Sequence, residues 1–184
     1  MAFPGGGDVS WTIESVREAN VEPAAVFALY ADPATWSRWG HNAAWARADG
    51  PLVEGGTVDV RAGYGTVYHC LIRRLEPGRA LELVVRPALM TIINVYEVEP
   101  ATSGARIRHA FEVSGPLASV TRAVGLDRMY QRRLDEEVAA VVRMAANSGE
   151  SEPGERTVPP VSRPERVWHG LGRLLRGGRE RQAP

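Results

Sequence analysis

The 184-residue chain contains no lysine; all 22 of its basic residues are arginine. That absence removes Schiff-base catalysis by a lysine side chain. With the abundance of Ala, Gly, Val and Pro, it fits the codon bias of a GC-rich bacterial genome. Cysteine is nearly absent too. Cys70 is alone, so no internal disulfide can form, and its place in the strand-like run YHCLI reads as a buried, inert thiol. There is no charge excess, with 22 basic against 22 acidic residues, so bulk electrostatics offers no argument for nucleic acid. No apolar run approaches the ~18 residues of a membrane span. The opening MAFPGGGDVS has neither a basic nor an apolar targeting segment. The expected location is the cytoplasm.

Several chemistries lack their motifs. His41, His69, His109 and His169 show no HxxxH spacing and no cysteine pair accompanies them, which argues against a dedicated zinc site. GxSxG is missing, and GYGT at 63–66 fits neither phosphate-loop frame. No dinucleotide fingerprint follows a strand, so no cofactor is expected.

What is present is a long amphipathic segment from Pro116 to Ala146. Tyr130, Leu134, Val138, Val141 and Ala145 recur at steps of three and four and share one helical face. Arg132, Arg133, Asp135, Glu136 and Arg143 fall mostly on the others. Leu117, Val120 and Val124 run on a different phase, and the change falls at Gly125-Leu126-Asp127. A break is expected there, with a short helix or lid before it and the main helix starting near Leu126.

The preceding chain reads as strands and turns. Ser10–Ala19 alternates as a strand. Pro23 opens a short helix carrying Val26, Phe27, Leu29 and Tyr30, and Asp32-Pro33 leads into a second with Trp36 and Trp39. Residues 40–54 read as a loop. Short strands follow at 57–62, 65–75, 80–86, 90–98 and 105–113, with a turn from Glu99-Pro100 to Gly104. One strand, two short helices, a five-strand meander and a long helix predict an α+β fold with a bent antiparallel sheet wrapped around the helix. The folded domain is expected over 9–147, after a loose leader at 1–8. Residues 148–184 read as a disordered Pro- and Arg-rich tail with a possible amphipathic helix at 166–176, suited to a membrane surface or a protein partner.

Strand parity gives faces. Ile107, His109, Phe111 and Val113 share one face, against Arg106, Arg108 and Glu112 on the other. Ile92, Asn94, Tyr96 and Val98 form the expected inward set of the strand before. Leu81, Leu83 and Val85 oppose Glu82 and Arg86. In 65–75 the phase is open, with Leu71, Arg73 and Leu75 competing against Tyr68, Cys70 and Ile72. An apolar pocket with a few convergent polar groups is the pattern of a site for an organic ligand.

The resulting candidates are His109 and Tyr96 as catalytic groups. Trp36, Trp39, Arg61, Tyr64, Arg73, Arg86, Asn94, Phe111, Met129 and Tyr130 are the candidate ligand-binding residues, with His41 at the mouth. His109 has the titration range to move a proton at an enolisable carbon. Its alternative is a neutral core histidine bonded to a carbonyl or hydroxyl. The tyrosines suit a ligand carbonyl, or packing with the hydroxyl at the rim. The arginines suit an enolate oxygen, or solvent. The tryptophans serve as entrance walls or as structural seals. The entrance itself is expected beside Gly125.

PAAVFALYADPATWSRW, DGPLVEGGTV, LEPGRALEL and YEVEPATSGARIRHAFEVSGPLA, in that order before the amphipathic helix, resemble the SRPBCC superfamily. This is the START-like or helix-grip group, and within it the polyketide cyclase/dehydrase-like proteins. The resemblance spans 21–146 and implies a hydrophobic cavity between sheet and helix. It also implies binding of a hydrophobic or aromatic small molecule, either to cyclise and dehydrate a polyketide-like chain or to carry a lipid or metabolite.

Overall fold

A computed structural model describes residues 10–87 and 89–148. Seven strands form one antiparallel sheet in the order β1-β7-β6-β5-β4-β3-β2. They are β1 Ser10–Ala19, β2 Ala43–Arg47, β3 Thr57–Ala62, β4 Val67–Glu76, β5 Ala80–Val85, β6 Thr91–Ala101 and β7 Gly104–Ser114. From β2 onward the strands are sequential neighbours, and the first strand closes beside the last, with Ser15 opposite His109. The curled sheet grips a C-terminal helix, so the fold is the expected α+β helix-grip. The expected leader at 1–8 and the tail from 149, with its 166–176 segment, lie outside the described residues.

The helices are α1 Pro23–Ala31, α2 Trp36–Trp39, α3 Ala118–Ala123 and α4 Leu126–Asn147. Pro23 occupies the first turn of α1, where its missing N–H costs nothing. The Asp32 side chain accepts from the Ala34 N–H and opens a 3₁₀ turn, Pro33–Thr35, before α2. The break between α3 and α4 falls at Gly125, whose φ of +78° suits glycine. α4 therefore begins at Leu126, and it buries Leu134, Val138, Val141 and Ala145 as the periodicity predicts.

Three expectations need correction. The expected loop at 40–54 contains β2, which pairs with β3 through an irregular register. The expected turn from Glu99 to Gly104 is shorter, because Glu99 and Pro100 still pair with Arg106 and Ala105. On α3 the buried residues are Ala118 and Thr121, whereas Val120 and Val124 are exposed. The apolar phase read from the sequence is the outer face of that helix. Trp11 explains the choice: its indole Nε1 donates to the Ala118 carbonyl at 3.0 Å and to Thr121 Oγ1 at 3.2 Å. An indole N–H buried against the lid must have such partners.

The core is in two parts. The larger joins α1, α2, α4 and the sheet through Tyr30, Trp39, Ile72, Leu81, Ile107 and Val138. The smaller, under α3, holds Trp11, Phe111, Val113, Ala118 and Leu134. The convex face carries a chain of ion pairs, Glu14–Arg108–Glu97–Arg74–Glu82, crossing strands β1, β7, β6, β4 and β5. Charges there mark that face as solvated and leave the concave face for the ligand.

Candidate functional site

A cavity of about 180 Å³ opens between the concave sheet, α2 and α4. Its wall is mostly apolar and aromatic, and it draws on both parts of the core. Leu83, Val85, Ile92 and Phe111 come from the sheet, Trp36 and Trp39 from α2, and Leu126, Tyr130 and Leu134 from α4. Phe111 and Tyr130 stack directly on each other within this wall, with ring centroids 4.5 Å apart and planes 16° from parallel. Asn94, Tyr96 and Glu137 add polar groups to this wall.

Most of the predicted site residues meet here. Trp36, Trp39, Tyr64, Asn94, Tyr96, Phe111, Tyr130 and His41 all border the cavity. The inward parity of β5, β6 and β7 is as expected. The open phase of β4 resolves with Tyr68, Cys70 and Ile72 inward, and a register shift between Ile72 and Arg74 then puts Leu75 inward as well.

Four residues are placed elsewhere. Arg73, beside that shift, pairs with Glu82 at 3.4 Å on the convex face. Arg61 is exposed because its neighbours Val60 and Ala62 face the cavity. Arg86 is likewise exposed between Val85 and Pro87, both of which line the wall. Met129 is off the helical phase on which Leu126, Tyr130 and Arg133 approach the ligand space.

His109 is buried completely, with 0% exposure, and stands one layer behind the wall. Its Nε2 shares a 2.9 Å hydrogen bond with the Tyr30 hydroxyl. Rings of Trp39 and Tyr96 pack against it at 5.8 and 4.9 Å between centroids. This is the core-histidine arrangement with a hydroxyl partner. Its other nitrogen, Nδ1, has no hydrogen bond and lies 3.7 Å from Glu137 Oε2.

Glu137 is the residue that sequence reading missed. It lines the cavity, its side chain is only 14% exposed, and its Oε1 accepts the His41 backbone N–H at 2.9 Å. A signal was present: Glu137 lies seven residues after Tyr130 and three after Leu134, on the inward face. It hides inside Asp135-Glu136-Glu137, which reads as a solvated run. Glu136 does face outward, where it pairs with His41 Nε2 at 2.6 Å.

Burial sets the protonation of the phenols. The hydroxyl pKa values of Tyr30, Tyr64, Tyr96 and Tyr130 are all raised, first by desolvation. For Tyr30 and Tyr96 the negative charge of Glu137 comes second. Tyr64 is raised further by its hydrogen bond to the Tyr68 hydroxyl. Tyr64, Tyr96 and Tyr130 therefore border the cavity as neutral phenols, while Tyr30 stays behind the wall on His109. Phenols that ionise more readily in the unfolded chain stabilise the fold below the unfolded pKa, about 10, and that stability is lost as pH rises beyond it. In an alkaline titration, tyrosinate absorbance should appear late and together with loss of near-ultraviolet circular dichroism. Gradual ionisation with the fold intact would contradict the burial.

Cys70 lies on the cavity wall with its thiol pushed up to about 12, chiefly by burial and then by Asp59. Relative to a thiol at the ordinary 9.0, its thiolate fraction at pH 8 falls by about a thousandfold. Native protein should resist a thiol reagent such as iodoacetamide at that pH and label fully once unfolded. Rapid native labelling would contradict this placement.

The fold and the cavity define a helix-grip protein with an internal, mostly apolar cavity. The chain belongs to the polyketide cyclase / dehydrase and lipid transport family, whose model matches residues 10–146. No curated protein matches it. Similar solved structures include a Staphylococcus aureus protein of unknown function, at 11% identity and a TM-score of 0.64, covering 78% of this chain and 98% of that one. A Mesorhizobium loti protein is 17% identical with a TM-score of 0.58, covering 75% and 98%. An AHSA1-like protein from Aeromonas hydrophila is 18% identical with a TM-score of 0.56, covering 80% and 100%. At these identities the likeness establishes the fold alone. No helix among the described residues is long and apolar enough to cross a membrane.

Proposed function

We propose that this protein binds a hydrophobic or aromatic small molecule in its central cavity. The observation that carries the reading is the wall itself, apolar and aromatic with Asn94, Tyr96 and Glu137 among its few polar groups. Family membership supports the same class of ligand. Size narrows it. A cavity of about 180 Å³ compares with the roughly 150 Å³ that holds benzene. In this form the site takes a single ring or the end of a chain, and a multi-ring product needs the lid α3 to move.

A cyclisation or dehydration of a polyketide-like chain requires a proton-transfer group touching the ligand. Tyr96 and Glu137 meet that condition, and His109 acts only through them. The carrier reading is favoured by the sealing of His109 behind the wall. For a carrier, the segment 166–176 is the proposed dock on an anionic membrane or a partner. Liposome flotation of the full chain against a chain ending at Asn147 tests that role, and equal behaviour removes it.

Native mass spectrometry of the full chain should reveal a co-purified apolar ligand. A thermal-shift panel of aromatic compounds and fatty acids should contain stabilisers, since a ligand at a hundred times its Kd adds about 2.7 kcal/mol. No ligand and no stabiliser would overturn the binding reading. If a substrate is turned over, Tyr96→Phe should slow it, and unchanged turnover would overturn the catalytic role of Tyr96.

A further inference from the structure

We propose that Glu137 is the polar anchor of the cavity, so that the site selects small apolar molecules bearing one hydrogen-bond donor, an O–H or N–H. The inference rests on the binding reading above and names the chemistry of the ligand. A carboxylate offers two oxygens with about four acceptor positions. In Glu137, Oε1 receives one backbone N–H from His41 at the cavity mouth. Among the described residues Oε2 accepts no hydrogen bond; His109 Nδ1 lies 3.7 Å from it, too far for one.

Among the described residues, no arginine reaches ion-pair distance of this carboxylate. Arg133 sits one turn earlier on α4 and shares the cavity wall, but its guanidinium lies 5.7 Å from the centre of the Tyr130 ring. A nearly buried carboxylate with spare acceptor capacity is costly unless a donor arrives. The open side of this one is the ligand space.

Behind it stands a supporting pair. His109 Nε2 shares its hydrogen bond with the Tyr30 hydroxyl, and the tautomer in which that hydroxyl donates carries the imidazole proton on Nδ1, on the side of Glu137. His109 is thus a positioning residue. Its ring is wholly buried and cannot touch the ligand, but in that tautomer it places a positive N–H edge beside the carboxylate. Tyr30 in turn fixes the ring. The aromatic walls around Glu137, Trp39 and Tyr96 among them, accept any flat apolar body of the right size. Discrimination among such bodies falls to the carboxylate.

The test is calorimetric titration of the full-length chain near neutral pH with phenol, anisole and toluene at millimolar concentration, three molecules of near-equal shape, and with aniline, uncharged there, as the N–H probe. Phenol or aniline should bind about 10- to 100-fold more tightly than anisole and toluene, the worth of a hydrogen bond to a charged group. In Glu137→Gln, folded by circular dichroism, that preference should shrink at least fivefold, because the charge assistance is gone. Glu137→Met should abolish it while retaining toluene binding. Should the methionine variant fail to fold, the glutamine variant still decides. Anisole or toluene binding the wild type as tightly as both donors would overturn the proposal and leave the cavity reading intact. Full preference retained in Glu137→Gln would overturn it as well. If none of the four binds, the cavity reading falls and this inference falls with it.

Discussion

Trp39→Ala should lower stability by about 3–5 kcal/mol, the usual cost of deleting a buried aromatic side chain. In a domain of this size that is a fall in Tm of roughly 10–20 °C. The indole is 4% exposed and is a centre of the aromatic cluster. Its ring packs 5.7 Å from Tyr30, 5.4 Å from Tyr96 and 5.8 Å from His109, between centroids. Its Nε1 donates to Thr35 Oγ1 at 3.1 Å, which ties α2 to the turn before it. The same side chain is part of the cavity wall, so truncation joins the ligand space to the region around His109. Trp39→Phe separates the two roles, since it restores most of the packing without the N–H. Thermal unfolding of both variants is the measurement, and a loss below about 1 kcal/mol for the alanine would contradict a structural role.

Gly104→Ala should cost about 3 kcal/mol or more, although it adds one methyl group. Gly104 starts β7 with φ of +126°, a conformation that side chains strongly resist. A Cβ there would collide with the Ala19 carbonyl oxygen and stand 2.8 Å from the Val21 nitrogen. Both obstacles are backbone, at the point where β1 ends beside the β6–β7 hairpin, so neither moves cheaply. Gly50→Ala is the control. Its φ is +115°, but nothing lies within 4 Å of the added atom. The difference between the two variants in a denaturant titration isolates the collision from the backbone strain. Equal losses would mean that the close approach of Ala19 is unimportant.

Much of this architecture is legible in the sequence, for physical reasons. The inward set of β7 can be read because Arg106, Arg108 and Glu112 mark the opposite face. The break at Gly125 falls where the apolar phase changes, although the α3 side of that pattern, Val120 and Val124, is exposed. Other parts escape for equally specific reasons. β2 is a short edge strand whose AAWAR has no clean alternation. The phase of β4 is ambiguous because its register shifts between Ile72 and Arg74, so Leu75 and Ile72 both face in although they are three positions apart, an odd step. Val120 and Val124 follow an apolar pattern, but the hydrogen bonds of Trp11 hold the opposite face of α3. Glu137 combines a charged residue with an inward position, and only the tertiary structure resolves that conflict. His109 was visible as inward, but its distance from the ligand space depends on Trp39 and Tyr96 standing in front of it.

The contact of Trp11 with α3 also bears on time. α3 ends at Gly125, which has a left-handed backbone, and is held by two hydrogen bonds from one indole, to Ala118 and Thr121. Thr121 is itself part of the cavity wall. With α3 as the lid of the proposed site, a ligand too large for the resting mouth would leave no faster than this contact opens. Trp11→Phe keeps the ring and removes both bonds, so it should shorten residence time while changing the wall chemistry little. Affinity would then be set by the residues facing the ligand, and exchange rate by a side chain on β1 outside the cavity.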